Sequence, residues 1–213
     1  MKSALTTKPL ALIQTAAAIL FSAQALAFEN SGELDGVYIV REGSAQSQEI
    51  GALTSPDPQD FEQIGTYQVF LTRKNWDELP TLERSRIRKN VFATGAFRGQ
   101  VASVSVTADA AFPIMLLTHT LGTRDRTGVI ITQNDALLPN TIGVQVCDPT
   151  RNLVVLTGRE QMNPAQGFGA FENLAGGRFL LELTANQCTL ENDIRFIPRL
   201  SFICFGNSQA CPQ

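Results

Sequence analysis

Residues 101–120 read VASVSVTADAAFPIMLLTHT, and the first eight carry the plainest period in the chain. Ala102, Val104 and Val106 fall on one face, and Ser103, Ser105 and Thr107 on the other. That two-residue alternation belongs to a half-buried β-strand. FPIMLLTHT (112–120) is apolar on both faces for most of its length, which predicts a central strand covered on both sides.

The same pattern extends in both directions. Before it come VYIVR (37–41) and YQVFLTR (67–73); after it come GVIITQ (128–133), TIGVQVC (141–147), NLVVLTG (152–158), RFLLELT (178–184), IRFIP (194–198) and LSFICF (200–205). Turn-forming pairs separate the runs: Gly122-Thr123, Asn134-Asp135, Pro139-Asn140, Asp148-Pro149, Gly176-Gly177 and Asn192-Asp193. Short strands at this spacing predict a mainly β fold, an antiparallel β-sandwich or flattened barrel of about nine strands with one short helix. The helix candidate is NWDELPTLERSRIRKNV (75–91), in which Pro80 is tolerated only at the first turn. Two stretches read as irregular: the polar, proline-punctuated 42–65 and the glycine-rich 158–177.

The first 27 residues, MKSALTTKPLALIQTAAAILFSAQALA, have Lys2 and Lys8, then a mostly apolar run, then Ala25-Leu26-Ala27 as a small-x-small cleavage site. They read as a signal peptide, residues 1–27, which leaves one β-rich domain at 28–213. No cysteine precedes Cys147, so the leader offers no thiol for lipid attachment. Export to the periplasm or the extracellular space follows. Loss of the two lysines takes the formal charge from −3 to −5. A mildly acidic chain with scattered bases is not built for nucleic acid, and no later run approaches the ~20 apolar residues of a spanning helix, so no integral segment is expected after cleavage.

Four cysteines, Cys147, Cys188, Cys204 and Cys211, all lie in the C-terminal part of the chain. An even count behind a leader predicts disulfides. Cys147 ends one strand and Cys188 follows another, while Gly206-Asn207-Ser208 supplies a reversal between Cys204 and Cys211. The expected pairs are therefore Cys147–Cys188 and Cys204–Cys211.

His119 is the single histidine, which removes two-histidine zinc sites and HExxH motifs. It reads as a strand-end residue. There is no GxSxG elbow, no GxGxxG and no P-loop. The sequence names no catalytic residue, cofactor or metal ligand. Surface candidates are Trp76, Arg84, Arg86, Arg88, Phe168 and Phe171. An acidic 42–65 stretch followed by a basic 73–98 stretch could dock within one chain or between chains. The leading expectation is an exported, non-enzymatic β-domain acting by surface recognition or assembly, toward a protein or glycan partner or by self-association, with Val37–Arg41 as a candidate open edge. Two other classes remain: a periplasmic carrier with 158–177 as lid, and a carboxylate-dependent polysaccharide hydrolase drawing on Glu160, Glu172 and Glu182.

Overall fold

The computed structural model describes residues 32–50, 62–105, 114–206 and 211–212. The expected signal peptide and cleavage site, residues 51–61, and the ends of the predicted 101–108 and 112–120 strands lie outside them.

Twelve strands form one antiparallel sheet whose middle closes into an eight-strand barrel, with four extra strands. They are β1 (Gly36–Ile50), β2 (Glu62–Arg73), β3 (Asn90–Ser105), β4 (Ile114–Thr123), β5 (Gly128–Thr132), β6 (Asp135–Leu137), β7 (Gly143–Asp148), β8 (Leu153–Met162), β9 (Pro164–Gly169), β10 (Leu174–Asn186), β11 (Glu191–Phe196) and β12 (Phe202–Phe205). The ring runs β1-β2-β3-β4-β6-β8-β10 and closes on β1 through one further strand, since β11 and β12 each pair with both β10 and β1 at different stretches. Of the two expected architectures, the barrel is the one adopted.

Alternation drives the closure. On β10, Phe179, Leu181, Leu183 and Ala185 are buried while Glu182 and Thr184 face out. On β11, Asn192, Ile194 and Phe196 point in, and Glu191, Asp193 and Arg195 point out. The inside is filled by side chains, including Tyr38, Phe97, Met162, Phe179 and Phe205. Tyr38 meets Phe205 edge-on at 5.7 Å, and Phe179 meets Phe196 at 5.3 Å. On these two strands an apolar inside and a polar outside reverse the pattern of a lipid-facing barrel. No helix among the described residues is long and apolar enough to cross a membrane.

Several local expectations need correction. The 75–91 segment is a 3₁₀ turn at Trp76–Glu78 and a four-residue helix, α1 (Thr81–Arg84), and strand β3 has begun by Asn90. Its apolar residues never formed a stripe, and Pro80 separates the two turns. Much of the 42–65 stretch is strand, because β1 runs on to Ile50 and β2 starts at Glu62. The 158–177 stretch is also largely β8, β9 and the start of β10. Gly176-Gly177 is not a turn between strands: Gly176, at φ 137°, lets β10 shift register against β12. Asn192-Asp193 lies within β11, and the reversal comes earlier, with Leu190 left-handed. β4 is half-buried at Leu116, Thr118 and Thr120, so its outer face is only partly covered. Strand β1 is paired on both sides, so Val37–Arg41 is not an open edge.

Candidate functional site

Besides the buried Ser47–Asn192 pair, the barrel interior holds a histidine–carboxylate cluster among its apolar side chains. Alternation on β4 turns Leu117, His119 and Leu121 inward. Left-handed Asn134 then starts β6 so that Asp135 enters the interior, and the inward face of β8 presents Glu160. His119, Asp135 and Glu160 are all essentially without solvent contact. Their nearest donor atoms lie within 4.8 Å of one another.

Asp135 is fully engaged. Its Oδ2 accepts from His119 Nδ1 at 2.7 Å and from the Thr132 hydroxyl, and its Oδ1 accepts the Asn163 N–H at 2.7 Å. The backbone N–H of His119 donates to Thr132 Oγ1 at 2.9 Å. The ring stacks on Phe97, with centroids 5.0 Å apart. Gly99 also lies against the ring, where any Cβ would stand 2.7 Å from His119 Cδ2 and 2.9 Å from Nε2.

His119 Nε2 faces Glu160 Oε1 at 3.7 Å, beyond hydrogen-bonding distance. Neither atom has a hydrogen-bond partner, nor has Gln63 Oε1, which lies beside the same Gly99 position as Nε2. Burial pulls the imidazole toward its neutral form, but the Glu160 charge and the bond to Asp135 outweigh it, and its pKa lies above the usual histidine value. Burial also raises the Glu160 carboxyl, with His119 opposing and Asp135 reinforcing the shift. An imidazole tied through Nδ1 to a carboxylate presents Nε2 as proton donor, base or metal ligand.

The sequence-named residues do not gather at this point. Glu172 and Glu182 are exposed, and Glu182 faces Arg159 at 3.7 Å, so only Glu160 of the three carboxylates belongs to the interior. Trp76 is half-buried with Lys89 Nζ 5.9 Å from its ring centre. Arg84 and Arg86 are exposed, whereas Arg88 donates to the Gly32 carbonyl and accepts from Tyr38 Oη through its own carbonyl, each at 2.6 Å. Phe168 is exposed, but Phe171 is in the core, stacked on Phe205, so the two do not form a surface pair. Of the acidic and basic stretches, Glu62 and Arg98 form an ion pair across β2 and β3. Both expected disulfides are present, Cys147–Cys188 with Cα atoms 6.4 Å apart and Cys204–Cys211 with 5.8 Å.

The outer face carries an open trough of about 660 Å³ between Glu42, Gln68, Phe70, Phe92, Glu182 and Arg195. It also carries β7, which pairs only with β8 among the described residues.

The fold and interior define a small, disulfide-tied antiparallel barrel with a buried histidine–carboxylate cluster. No protein-family model, no curated protein and no solved structure matches the chain.

Proposed function

We propose that the chain is an exported, non-enzymatic barrel domain that self-assembles through its outer surface, with the free edge of β7 as the joining strand. The observation that carries this is the exposure of β7. Every residue from Gly143 to Cys147 is exposed, and Val144 and Val146, 47% and 59% exposed, stand on one face. Proteins commonly blunt such an edge with charge, proline or a bulge. The five residues here carry no charge, and the strand's bulge comes only at its end, between Val146 and Asp148.

The edge is also held rigidly. Cys147 is tied to Cys188 in the turn after β10. At the β7–β8 turn, Asp148 accepts from Thr150 and Arg151, which holds its carboxyl well below the ordinary range. A strand fixed in advance loses less entropy on pairing. Two copies joining β7 to β7 antiparallel would form a two-fold, self-complementary contact.

The non-enzymatic part of the reading is supported by the packed interior, where the histidine–carboxylate cluster is sealed from solvent. The export part is supported by the N-terminal pattern and by two disulfides of a kind that persist outside the reducing cytosol. The test is sedimentation of the processed chain over a wide concentration range. Reversible dimers are expected, together with monomers of unchanged unfolding midpoint for the Val144→Lys/Val146→Lys variant. A wild-type chain that stays monomeric at every concentration overturns the proposal.

A further inference from the structure

The buried cluster points to a ligand of its own, independent of the assembly surface. Native interiors rarely leave buried polar atoms without a partner, yet His119 Nε2 and Glu160 Oε1 face each other unpartnered at 3.7 Å, and Gln63 Oε1, also unpartnered, lies beside the same Gly99 position as Nε2. We propose that this cluster binds one divalent first-row transition-metal ion, held directly by His119 Nε2 and Glu160 Oε1. Gln63 Oε1 is the further oxygen donor, and Asp135 orients the imidazole.

The geometry fits. An ion bonded at about 2.0–2.2 Å to both a nitrogen and a carboxylate oxygen bridges the 3.7 Å between Nε2 and Oε1 at an angle of roughly 125°. The Asp135–His119 Nδ1 bond is the outer hydrogen bond that fixes the tautomer of metal-binding histidines and aims Nε2 at the ion. Charge fits as well, because two buried carboxylates balance one dication, which removes the cost of sealing unpaired charge in the core. Imidazole nitrogen with carboxylate and amide oxygen suits zinc, cobalt or manganese better than a thiolate-seeking ion.

The location gives the ion structural work. Its ligands come from β2, β4 and β8, and Asp135, which holds the imidazole, comes from β6, the thinnest part of the ring, joined to β4 and to β8 by two residue pairs each. A metal there ties together the strands that backbone pairing holds least, and its binding free energy becomes folding free energy.

The experiment uses the full processed chain without a polyhistidine tag. The chain is unfolded with chelator and refolded with zinc, with cobalt or without metal. Elemental mass spectrometry should find one zinc per chain, and the unfolding midpoint should rise with added zinc. Cobalt should give visible ligand-field bands. Because His119 is the only histidine, its imidazole nitrogen resonance reports on the site without assignment and should shift on zinc addition. Folded Glu160→Gln should lose stoichiometric metal. If that variant does not fold, the wild-type metal content and imidazole shift decide the question alone. Wild-type protein that refolds without bound zinc or cobalt, with its imidazole signal unmoved, overturns the proposal. So does folded Glu160→Gln that keeps one ion per chain.

Discussion

Removing the Asp135 side chain should cost more than any single exposed substitution, and the structure sets the size. Asp135→Ala takes the acceptor from the His119 Nδ1–H and from the Asn163 backbone N–H, each bonded at 2.7 Å. The Thr132 hydroxyl is less affected, because it can turn to the His119 carbonyl at 3.4 Å. A buried donor left unpaired costs about 1–3 kcal/mol, and breaking a buried charged pair costs about 3–5 kcal/mol. The expected loss is therefore about 3–5 kcal/mol. Asp193→Ala is the control: this carboxylate points outward and makes only a 3.4 Å contact with Gln46, so the change should stay within about 0.5 kcal/mol. Urea unfolding followed by circular dichroism and by the single tryptophan, Trp76, measures both. A loss below about 1 kcal/mol for Asp135→Ala, at an unchanged urea slope, would refute the view that Asp135 satisfies these donors.

Three further outcomes follow from the same structure. Burial raises the Tyr38 hydroxyl to about 12, so the unfolded chain ionises first; stability should be intact below about pH 10, fall by about 2 kcal/mol as pH rises to about 12, and fall less in Tyr38→Phe. Burial raises the Glu49 carboxyl, with Asn192 opposing. The folded state thus favours the protonated form, and Glu49→Gln should be more stable than wild type at pH 7, with the difference gone below about pH 4 in a urea series. Cys147–Cys188 closes a separation of 41 residues and Cys204–Cys211 one of 7. On the chain-entropy model, paired serine substitutions should cost about 4 and about 2.5 kcal/mol respectively, an order that denaturant midpoints would show.

Much of the fold was legible because alternation is a local signal. RFLLELT (178–184) and IRF (194–196) could be sorted into inward and outward faces from their spelling, and the structure keeps that sorting. The cysteine pairing was legible for a related reason: strand ends and turns limit which thiols can meet. Where the reading failed, nearby composition was overruled by pairing farther away. Polar GSAQSQ (43–48) looks like loop, yet it is strand because β2 on one side and β11 on the other supply hydrogen bonds and the barrel buries Ala45 and Ser47. The 75–91 segment read as a short helix with Pro80 at its first turn, but without an apolar stripe little favours extending it beyond one turn.

The buried cluster was the least legible part. His119, Asp135 and Glu160 sit on three different strands, and nothing in sequence spacing links them. Asp135 read as a turn residue beside Asn134. Its inward alternation with Leu137 was the available sign that a carboxylate enters the core. Gln63 gave no sign beyond its place on the buried face of β2.

The claim that β7 is the joining strand is tested most directly by hydrogen–deuterium exchange across Gly143–Cys147, compared at low and high protein concentration. Pairing of the free edge predicts that amide protection in β7 rises with concentration while β10, already paired on both sides, stays unchanged, and that Val144→Lys/Val146→Lys abolishes the rise. Protection in β7 that is the same at every concentration would contradict it.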